Sequence, residues 1–367
     1  MELSVAKQAL IAPLTSVCSV VERRQTLPIL SNLLFEVSEG NLRLTGSDQE
    51  IQIAAVVTDS LKVVETGECT APARKLLDIV KTLPVEAEIV LRLQDNQLEL
   101  SSGDFVSHLA VLPVEDFPKI TLEESAVQFD LDTEALTEVL SATSFAMASQ
   151  DVRYFFNGLL LEFQDSGLNL VASNGQRLAM AKLESSSAVA ASNAIVPRKG
   201  VLELQSLLGQ VEGTAHFSLT TNHVQATFGA IEVTGKLIDG TYPDYSQAIP
   251  AANPLILQLP RQRMIEALTR TAILSNEMYR SIRLSLANGQ LSLQTSNPLQ
   301  EDAKETLQVS YEGEEVEIGF NVNYLLDALN ALSSEQVNMA LRDSNTAVVI
   351  SDEEAAGRVM VISPMKL

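Results

Sequence analysis

Residues 166–178 read SGLNLVASNGQRL, and the first nine of these residues have two counterparts elsewhere in the chain. The counterparts are GNLRLTGSD at 40–48 and GQLSLQTSN at 289–297. All three copies share a turn glycine, two leucines at alternate positions, and a final Ser followed by Asp or Asn. This pattern is typical of a hairpin strand that buries one face and ends in a turn. The last four residues, GQRL at 175–178, belong to this copy alone and indicate a feature that the repeat does not explain.

The three copies lie at regular intervals and have matching flanks. Their serines, Ser47, Ser173 and Ser296, are separated by 126 and 123 residues. An alternating strand and an amphipathic helical pattern precede each copy, and a second helical pattern opens 24 or 25 residues after each serine. We therefore predict an α+β fold of three similar domains, 1–125, 126–253 and 254–367. Each domain is expected to hold two helices and about eight antiparallel strands.

The composition indicates a globular protein without a membrane span. Apolar residues make up 46% of the chain, and no window of about 18 uncharged apolar residues occurs. The N-terminus lacks a basic segment followed by an apolar run, so we expect a cytoplasmic protein. Cys18 and Cys69 are the only cysteines, and they are expected to be ordinary buried thiols. The three histidines lack metal-ligand spacing, so we predict neither a metal nor a cofactor.

The net charge of −22 argues against nucleic-acid binding unless cations gather in special places. Helix N-termini favour Asp or Glu, yet basic residues occupy four of the six predicted first turns. These residues are Lys7, Arg74 with Lys75, Arg198 with Lys199, and Arg261 with Arg263. Such cations can help the helix bind an anion, but composition alone favours a solvated helix face or pairing with carboxylates. Arg24 and Arg153 lie in polar loops that also suit an anion.

The sequence contains no recognisable catalytic set. It has no G-x-S-x-G elbow, no P-loop and no H-E-x-x-H motif. Ser47 and Asp48 recur in all three copies without a nearby histidine, so turn formation explains them better than nucleophilic catalysis. We therefore predict that the chain is not an enzyme. An enzyme with a cleft between domains and a scaffold that binds only proteins are the alternatives.

The whole chain resembles the bacterial sliding clamps, the beta subunits of DNA polymerase III. The resemblance lies in TLPILSNLL (26–34), PARK (72–75), QDVRY (150–154), IVPRKG (195–200), YPDY (242–245), AILSNE (272–277), IGFNV (318–322) and PMKL (364–367). It implies a head-to-tail homodimeric ring of six domains, with helices around the hole and sheets outside. Such a ring encircles duplex DNA without sequence preference and acts as a polymerase processivity factor.

The resemblance also implies two sets of surface residues. The DNA-facing residues would be Arg24, Arg74, Gln150, Arg153, Tyr154, Arg198 and Lys199. The dimer interface would include Ile273 and Leu274 on one edge and Leu109 on the other. The loop SGDF at 102–105 lacks the arginines that the family has at this edge, so we expect apolar contact to dominate there.

A partner-binding pocket is implied between the second and third domains. It would accept short peptides from the polymerase catalytic subunit, the clamp loader and repair proteins. The matching residues are Phe156, Ser173, Gly175, Gln176, Arg177, Leu178, Pro243, Gln247, Ala248, Asn321, Tyr324, Val361, Ser363, Pro364 and Met365. The chain departs from the family pattern at Gln176, Gln247, Ala248 and Ser363, where the family has His, a basic–aliphatic pair and Met.

Overall fold

The computed structural model describes residues 1–22, 27–122, 127–164, 167–184, 192–352 and 357–366. The chain forms two compact units. Unit 1 comprises Met1–Glu134 and Leu202–Leu237, and unit 2 comprises Ala135–Val201 and Ile238–Leu367.

Six α-helices and 25 strands occur among the described residues. The first third contains β1 (Glu2–Ala6), α1 (Lys7–Ser19), β2 (Asn32–Ser38), β3 (Asn41–Ser47), β4 (Ile51–Val57), β5 (Leu61–Glu65), β6 (Gly67–Pro72), α2 (Ala73–Thr82), β7 (Glu88–Gln94), β8 (Gln97–Ser102) and β9 (Phe105–Ala110). The middle third contains β10 (Val127–Asp132), α3 (Thr133–Thr143), β11 (Gly158–Gln164), β12 (Gly167–Ser173), β13 (Arg177–Leu183), β14 (Ser192–Pro197), α4 (Arg198–Leu208), β15 (Thr214–Leu219), β16 (His223–Phe228) and β17 (Ile231–Lys236). The last third contains β18 (Leu255–Pro260), α5 (Arg261–Ala272), β19 (Ser281–Ala287), β20 (Gln290–Ser296), β21 (Asp302–Gln308), β22 (Val316–Asn321), α6 (Val322–Ala331), β23 (Gln336–Leu341), β24 (Val348–Asp352) and β25 (Arg358–Ile362).

The sheets confirm the predicted α+β class, with two helices and eight or nine strands in each third. Unit 1 holds an antiparallel sheet of order β5-β1-β7-β8-β9 and a larger one of order β10-β15-β16-β17-β4-β3-β2-β6. Unit 2 holds the sheets β14-β11-β12-β13-β25-β24-β23-β18 and β21-β20-β19-β22. Each eight-stranded sheet takes four strands from one third of the chain and four from the next. The middle third of the chain is therefore divided between the two compact units.

The repeated sequence forms equivalent strands, β3, β12 and β20, as the alternation of leucines predicts. After each strand, the Oδ1 atom of Asp48, Asn174 or Asn297 accepts hydrogen bonds from two backbone N–H groups. These contacts form Asx turns, in which the side chain replaces a backbone acceptor. The repeated Ser-Asp or Ser-Asn pair therefore ends a hairpin strand, which confirms the interpretation as turn chemistry.

One cation in each of four first helical turns binds backbone carbonyl groups near the end of another helix. Lys7 donates to the carbonyl groups of Lys81, at 2.9 Å, and Leu83 at the end of α2, and Arg74 donates to Val21 O, just beyond α1, at 2.8 Å. The same pattern recurs in unit 2. Arg198 Nη1 donates to Met147 O at 3.1 Å, and Arg261 donates to Leu329 O and Ser334 O at 3.3 and 3.0 Å. Carbonyl groups at helix C-termini carry partial negative charge, so these cations have a structural role.

The two cysteines are buried, as the sequence predicts. Burial raises the pKa of the Cys18 thiol to about 12, and it raises the pKa of the Cys69 thiol to about 12 as well. Both thiols therefore stay protonated at neutral pH and are poor nucleophiles.

Within the described ranges, no helix combines the length and the apolar composition that a membrane crossing requires.

Candidate functional site

Unit 2 contains a small, largely apolar cavity beside the turn between β12 and β13, which we call the Leu178 cavity. Its volume is about 140 Å³. It gathers four separate stretches of chain and ten of the residues that the resemblance implies for the partner pocket. Those ten are Phe156, Ser173, Gly175, Gln176, Arg177, Leu178, Pro243, Ala248, Val361 and Ser363.

The floor of the Leu178 cavity belongs to the eight-stranded sheet of unit 2. Leu178 on β13 lies opposite Ser173 on β12 and Val361 on β25. Leu178 and Val361 are 4% and 3% exposed, and they pack with Phe156 in one apolar cluster. Residues paired across a sheet present their side chains to the same face. The sheet thus offers a flat apolar floor, which suits apolar side chains of a ligand.

The turn at one side of the cavity depends on Gly175. The Oδ1 atom of Asn174 accepts hydrogen bonds from the backbone N–H groups of Gln176 and Arg177, both at 3.0 Å. This arrangement places Gly175 at φ +85°, in the left-handed region that glycine adopts without strain. A Cβ atom at this position would lie 2.8 Å from Arg153 Nη1. The backbone conformation therefore favours glycine here, and an added Cβ atom would displace the end of the Arg153 side chain.

Arg177 braces β13 against α6. Its side chain is 12% exposed, and its guanidinium lies 5.1 Å from the Phe145 ring centroid and 4.5 Å from that of Tyr324. Nη1 donates to Asp327 Oδ2 and Nη2 donates to Phe145 O. Because these partners already engage the cation, Arg177 shapes the cavity wall and does not present a free charge to a ligand.

Gln176 connects the cavity rim to α6. The Tyr324 hydroxyl donates to Gln176 Oε1 at 2.9 Å and accepts a hydrogen bond from Asn174 Nδ2 at 3.3 Å. Tyr324 does not line the Leu178 cavity itself, and it reaches the rim through this bond. Gln176, which departs from the family pattern, is thus held in place by Tyr324, which matches that pattern.

Three wall residues were missed by the sequence prediction: Tyr242, Asp244 and Tyr245. Tyr242 is 8% exposed, and its ring meets that of Phe156 edge-on at 5.8 Å. Asp244 accepts hydrogen bonds from Ser246 N and Ser246 Oγ, so it caps a short turn that carries Tyr245 along the cavity. The segment YPDY signalled them, since both tyrosines flank Pro243, which was assigned.

Four further residues of the predicted pocket also lie outside the lining of the Leu178 cavity: Gln247, Asn321, Pro364 and Met365. Gln247 Nε2 donates to Asp244 Oδ2 at 3.0 Å, and Asn321 caps the start of α6. The backbone N–H of Met365 donates to Gly319 O at 2.8 Å, and the Met365 side chain lines a separate surface cavity. Their contact with a partner stays a prediction.

The residues predicted to face DNA have different degrees of exposure. Arg74 and Gln150 are exposed, and Gln150 adopts a left-handed conformation at φ +59°. Tyr154 is 56% exposed, and Arg153 is 50% exposed while it pairs with Asp151 at 2.9 Å. Hydrogen bonds from Arg153 hold the pKa of Asp151 down at about 2. Arg198 and Lys199 are half-buried, and Arg24 lies outside the described residues. Their role toward DNA stays a prediction.

The residues predicted for the dimer interface also differ in how exposed they are within one copy. Ile273 is 76% exposed at the end of α5, and Leu274 is half-buried. Leu109 is 6% exposed, because it packs opposite Leu98 in the core of unit 1. The exposed apolar surface of β9 comes from Phe105 and Val106, which are 42% and 54% exposed.

Comparison with known protein families accounts for nearly the whole chain. Residues 1–121 match the N-terminal domain of the DNA polymerase III beta subunit, residues 130–244 match its central domain, and residues 246–366 match its C-terminal domain. The chain belongs to the DNA polymerase III beta subunit family. The resemblance seen in the sequence is thereby confirmed.

Curated relatives carry the name beta sliding clamp. Those of Pseudomonas aeruginosa and Escherichia coli K12 are 43% and 40% identical to this chain, and each alignment spans 100% of both chains. The predicted function, a sliding clamp that serves as a DNA polymerase processivity factor, is confirmed at the level of the family.

Solved structures of beta subunits share the fold. The sliding clamp of P. aeruginosa bound to griselimycin is 43% identical, has a TM-score of 0.95, and matches over 100% of both chains. The sliding clamp of Bartonella birtlesii bound to griselimycin is 34% identical, has a TM-score of 0.96, and also matches over 100% of both chains.

Proposed function

We propose that this chain closes head-to-tail with a second copy into a ring around duplex DNA and tethers a replicative polymerase there. Each copy contributes three domains, 1–125, 126–253 and 254–367. The ring works in the cytoplasm, and it acts by topology and tethering, without catalysing a reaction. Its partners are duplex DNA of any sequence, the polymerase catalytic subunit, the clamp loader and repair proteins.

The Leu178 cavity is the observation that carries the proposed role in tethering. It combines an apolar floor with a rim of backbone and side-chain polar groups, which is how short peptides with apolar side chains are usually bound. Two relatives have been solved with griselimycin bound. We infer that griselimycin occupies this cavity in the present chain and competes there with partner peptides.

The sheet topology supports ring closure. In both eight-stranded sheets, strands from one third of the chain continue into strands from the next, through the pairs β4–β17 and β13–β25. β9 in the first third of the chain is equivalent to β17 and β25, and β21 in the last third is equivalent to β4 and β13. Both β9 and β21 are left as sheet edges. Unpaired strand edges readily add another strand. Pairing of β21 in one copy with β9 in the other gives a head-to-tail contact that closes when both interfaces form.

Apolar surface and charge fit this arrangement. Phe105 and Val106 on β9, together with Ile273 just beyond α5, supply exposed apolar side chains for the contact between copies. The net charge of −22 repels DNA in general, so the cations predicted to face the hole make weak, sequence-independent phosphate contacts. Because the closed ring encircles the DNA, it stays on the duplex without strong contacts and can slide along it.

Filling the cavity tests the peptide-binding role. Ala248 is exposed and lines the Leu178 cavity, so Ala248→Trp should block it without disturbing the core. We expect griselimycin affinity, measured by isothermal titration calorimetry, to fall at least about tenfold, because the indole displaces ligand contacts. Ala230→Trp, in the exposed turn between β16 and β17 of unit 1, is the matched control and should bind normally. Equal affinity of the two variants would refute the cavity assignment.

A further inference from the structure

Tyr245 lines the Leu178 cavity, and its hydroxyl is anchored by two polar side chains. The hydroxyl donates a hydrogen bond to Glu162 Oε2 at 2.5 Å. Asn169 Nδ2 donates to the same carboxylate oxygen at 2.9 Å and lies 3.3 Å from the Tyr245 hydroxyl oxygen. Gln164 Nε2 donates to Glu162 Oε2 as well, at 2.9 Å, so four polar groups meet at one point beside the cavity wall.

The sheet fixes the two anchoring residues relative to each other. Glu162 on β11 and Asn169 on β12 are directly opposite partners in the antiparallel ladder. Side chains of such pairs project to the same face of the sheet. β11 and β12 are also strands of the eight-stranded sheet that forms the floor of the Leu178 cavity. The anchor for Tyr245 is therefore built on strands of a sheet, which hold side chains more rigidly than loops do.

The hydroxyl of Tyr245 remains a hydrogen-bond donor over the whole physiological pH range. Burial, together with the hydrogen bond to Glu162 and its negative charge, raises the pKa of Tyr245 to about 12. Hydrogen bonds to a carboxylate are stronger than those between neutral groups. The ring is also packed against the apolar cluster that includes Leu178 and Phe156. Packing and anchoring together hold the ring in one orientation.

We propose that Glu162 and Asn169 are positioning residues that preform the Tyr245 ring as an aromatic wall of the Leu178 cavity. This inference rests on the proposed peptide-binding role of the cavity. A preformed wall lowers the entropy lost on binding, and an aromatic face favours edge-on contact with an aromatic side chain. A cavity with this fixed ring therefore binds its peptide with a smaller loss of entropy than one in which Tyr245 is free to turn.

The anchor is tested with griselimycin and the variants Glu162→Gln and Tyr245→Phe. Both variants keep the ring and its volume, but one weakens and the other removes the anchoring bond. We expect affinity about three- to tenfold lower in each, with unchanged cooperative unfolding, because the ring must be ordered on binding. Tyr311→Phe is the matched control, since the Tyr311 hydroxyl donates to Glu314 O in an exposed part of unit 2. That variant should bind as the unmodified chain does.

Fluorine NMR of the chain labelled with 3-fluorotyrosine gives a readout that does not depend on binding. The signal of Tyr245, assigned from Tyr245→Phe among the six tyrosines, should change its linewidth in Glu162→Gln.

The outcomes separate this inference from the proposed function. Unchanged griselimycin affinity in Glu162→Gln and Tyr245→Phe, with a normal loss in Ala248→Trp, would overturn the aromatic-wall inference alone. Unchanged affinity in Ala248→Trp would instead overturn the cavity assignment on which the inference rests.

Discussion

Gly175 illustrates how one residue joins the two surfaces that the family pattern implies. Its backbone adopts φ +85° in the Asx turn that borders the Leu178 cavity. The guanidinium of Arg153, a residue predicted to face DNA, lies against it and over the Phe156 ring at 4.6 Å. Arg153 Nη2 also donates to Asn174 O at 3.2 Å. A change at Gly175 is therefore expected to affect the turn, the cavity and the arginine together.

Replacing Gly175 by alanine should destabilise the chain and weaken griselimycin binding. The cost should exceed about 1 kcal/mol, because alanine is strained at positive φ and its Cβ would displace the Arg153 guanidinium. Urea unfolding and calorimetric binding give the two quantities. Gly40→Ala is a matched control, since Gly40 has φ +75° and no atom within 4 Å of an added Cβ. It should show the backbone strain alone, and a larger loss at Gly40 than at Gly175 would contradict this account.

Ten residues that line the candidate site were predicted from the family resemblance, and for GQRL (175–178) the local sequence carried a signal as well. The GQRL segment follows a repeated strand, so its extra residues stood out. Tyr242 and Tyr245 line the same cavity, but they arrive there from a segment more than sixty residues downstream. Leu109 is a different case, because the resemblance assigns it to the interface between copies while it is 6% exposed within one copy, and its interface role stays a prediction. Alternation identifies a strand but does not say which of its faces is covered.

At the scale of elements, a basic side chain in the first turn of one helix binds carbonyl groups near the end of its partner helix. Each of Lys7 and Arg74 begins one helix and binds carbonyl groups near the end of the other, so α1 and α2 are linked at both ends. Arg261 makes the equivalent contact from α5 to α6. The basic first turns of the sequence were recognised, but their partners were not. Where a long side chain reaches depends on the helix packed beside it, and helical periodicity carries no information about that neighbour.

Removing one such contact should cost stability. Arg261→Met deletes hydrogen bonds to Leu329 O and Ser334 O, and we expect the free energy of unfolding to fall by about 1–2 kcal/mol. The measurement is urea unfolding monitored by circular dichroism. Lys75→Met is the matched control, because Lys75 is an exposed cation in the first turn of α2. Its change should stay within about 0.5 kcal/mol, and equal losses in both variants would show that the carbonyl contacts are not the cause.

At the scale of the whole molecule, the repeat predicted the number and class of the elements, but it did not predict how consecutive repeats join. The pairing of β13 with β25 brings Leu178 beside Val361, and that of β17 with β4 brings Val233 beside Ile53. The paired strands are far apart in sequence. The pattern of each strand taken alone is equally compatible with a position at the edge of a sheet. The shared sheets explain both the two compact units and the position of the Leu178 cavity.

Retention on DNA after loading tests the central claim most directly. The chain is loaded by its clamp loader onto nicked circular DNA, freed of unbound protein by gel filtration, and divided into two samples. One sample is cut with a restriction enzyme before a second filtration. A ring that encircles DNA stays with the circle and is lost from the linear molecule, since only topology holds it. Equal retention on circular and linear DNA, or none on the circle, would contradict the account.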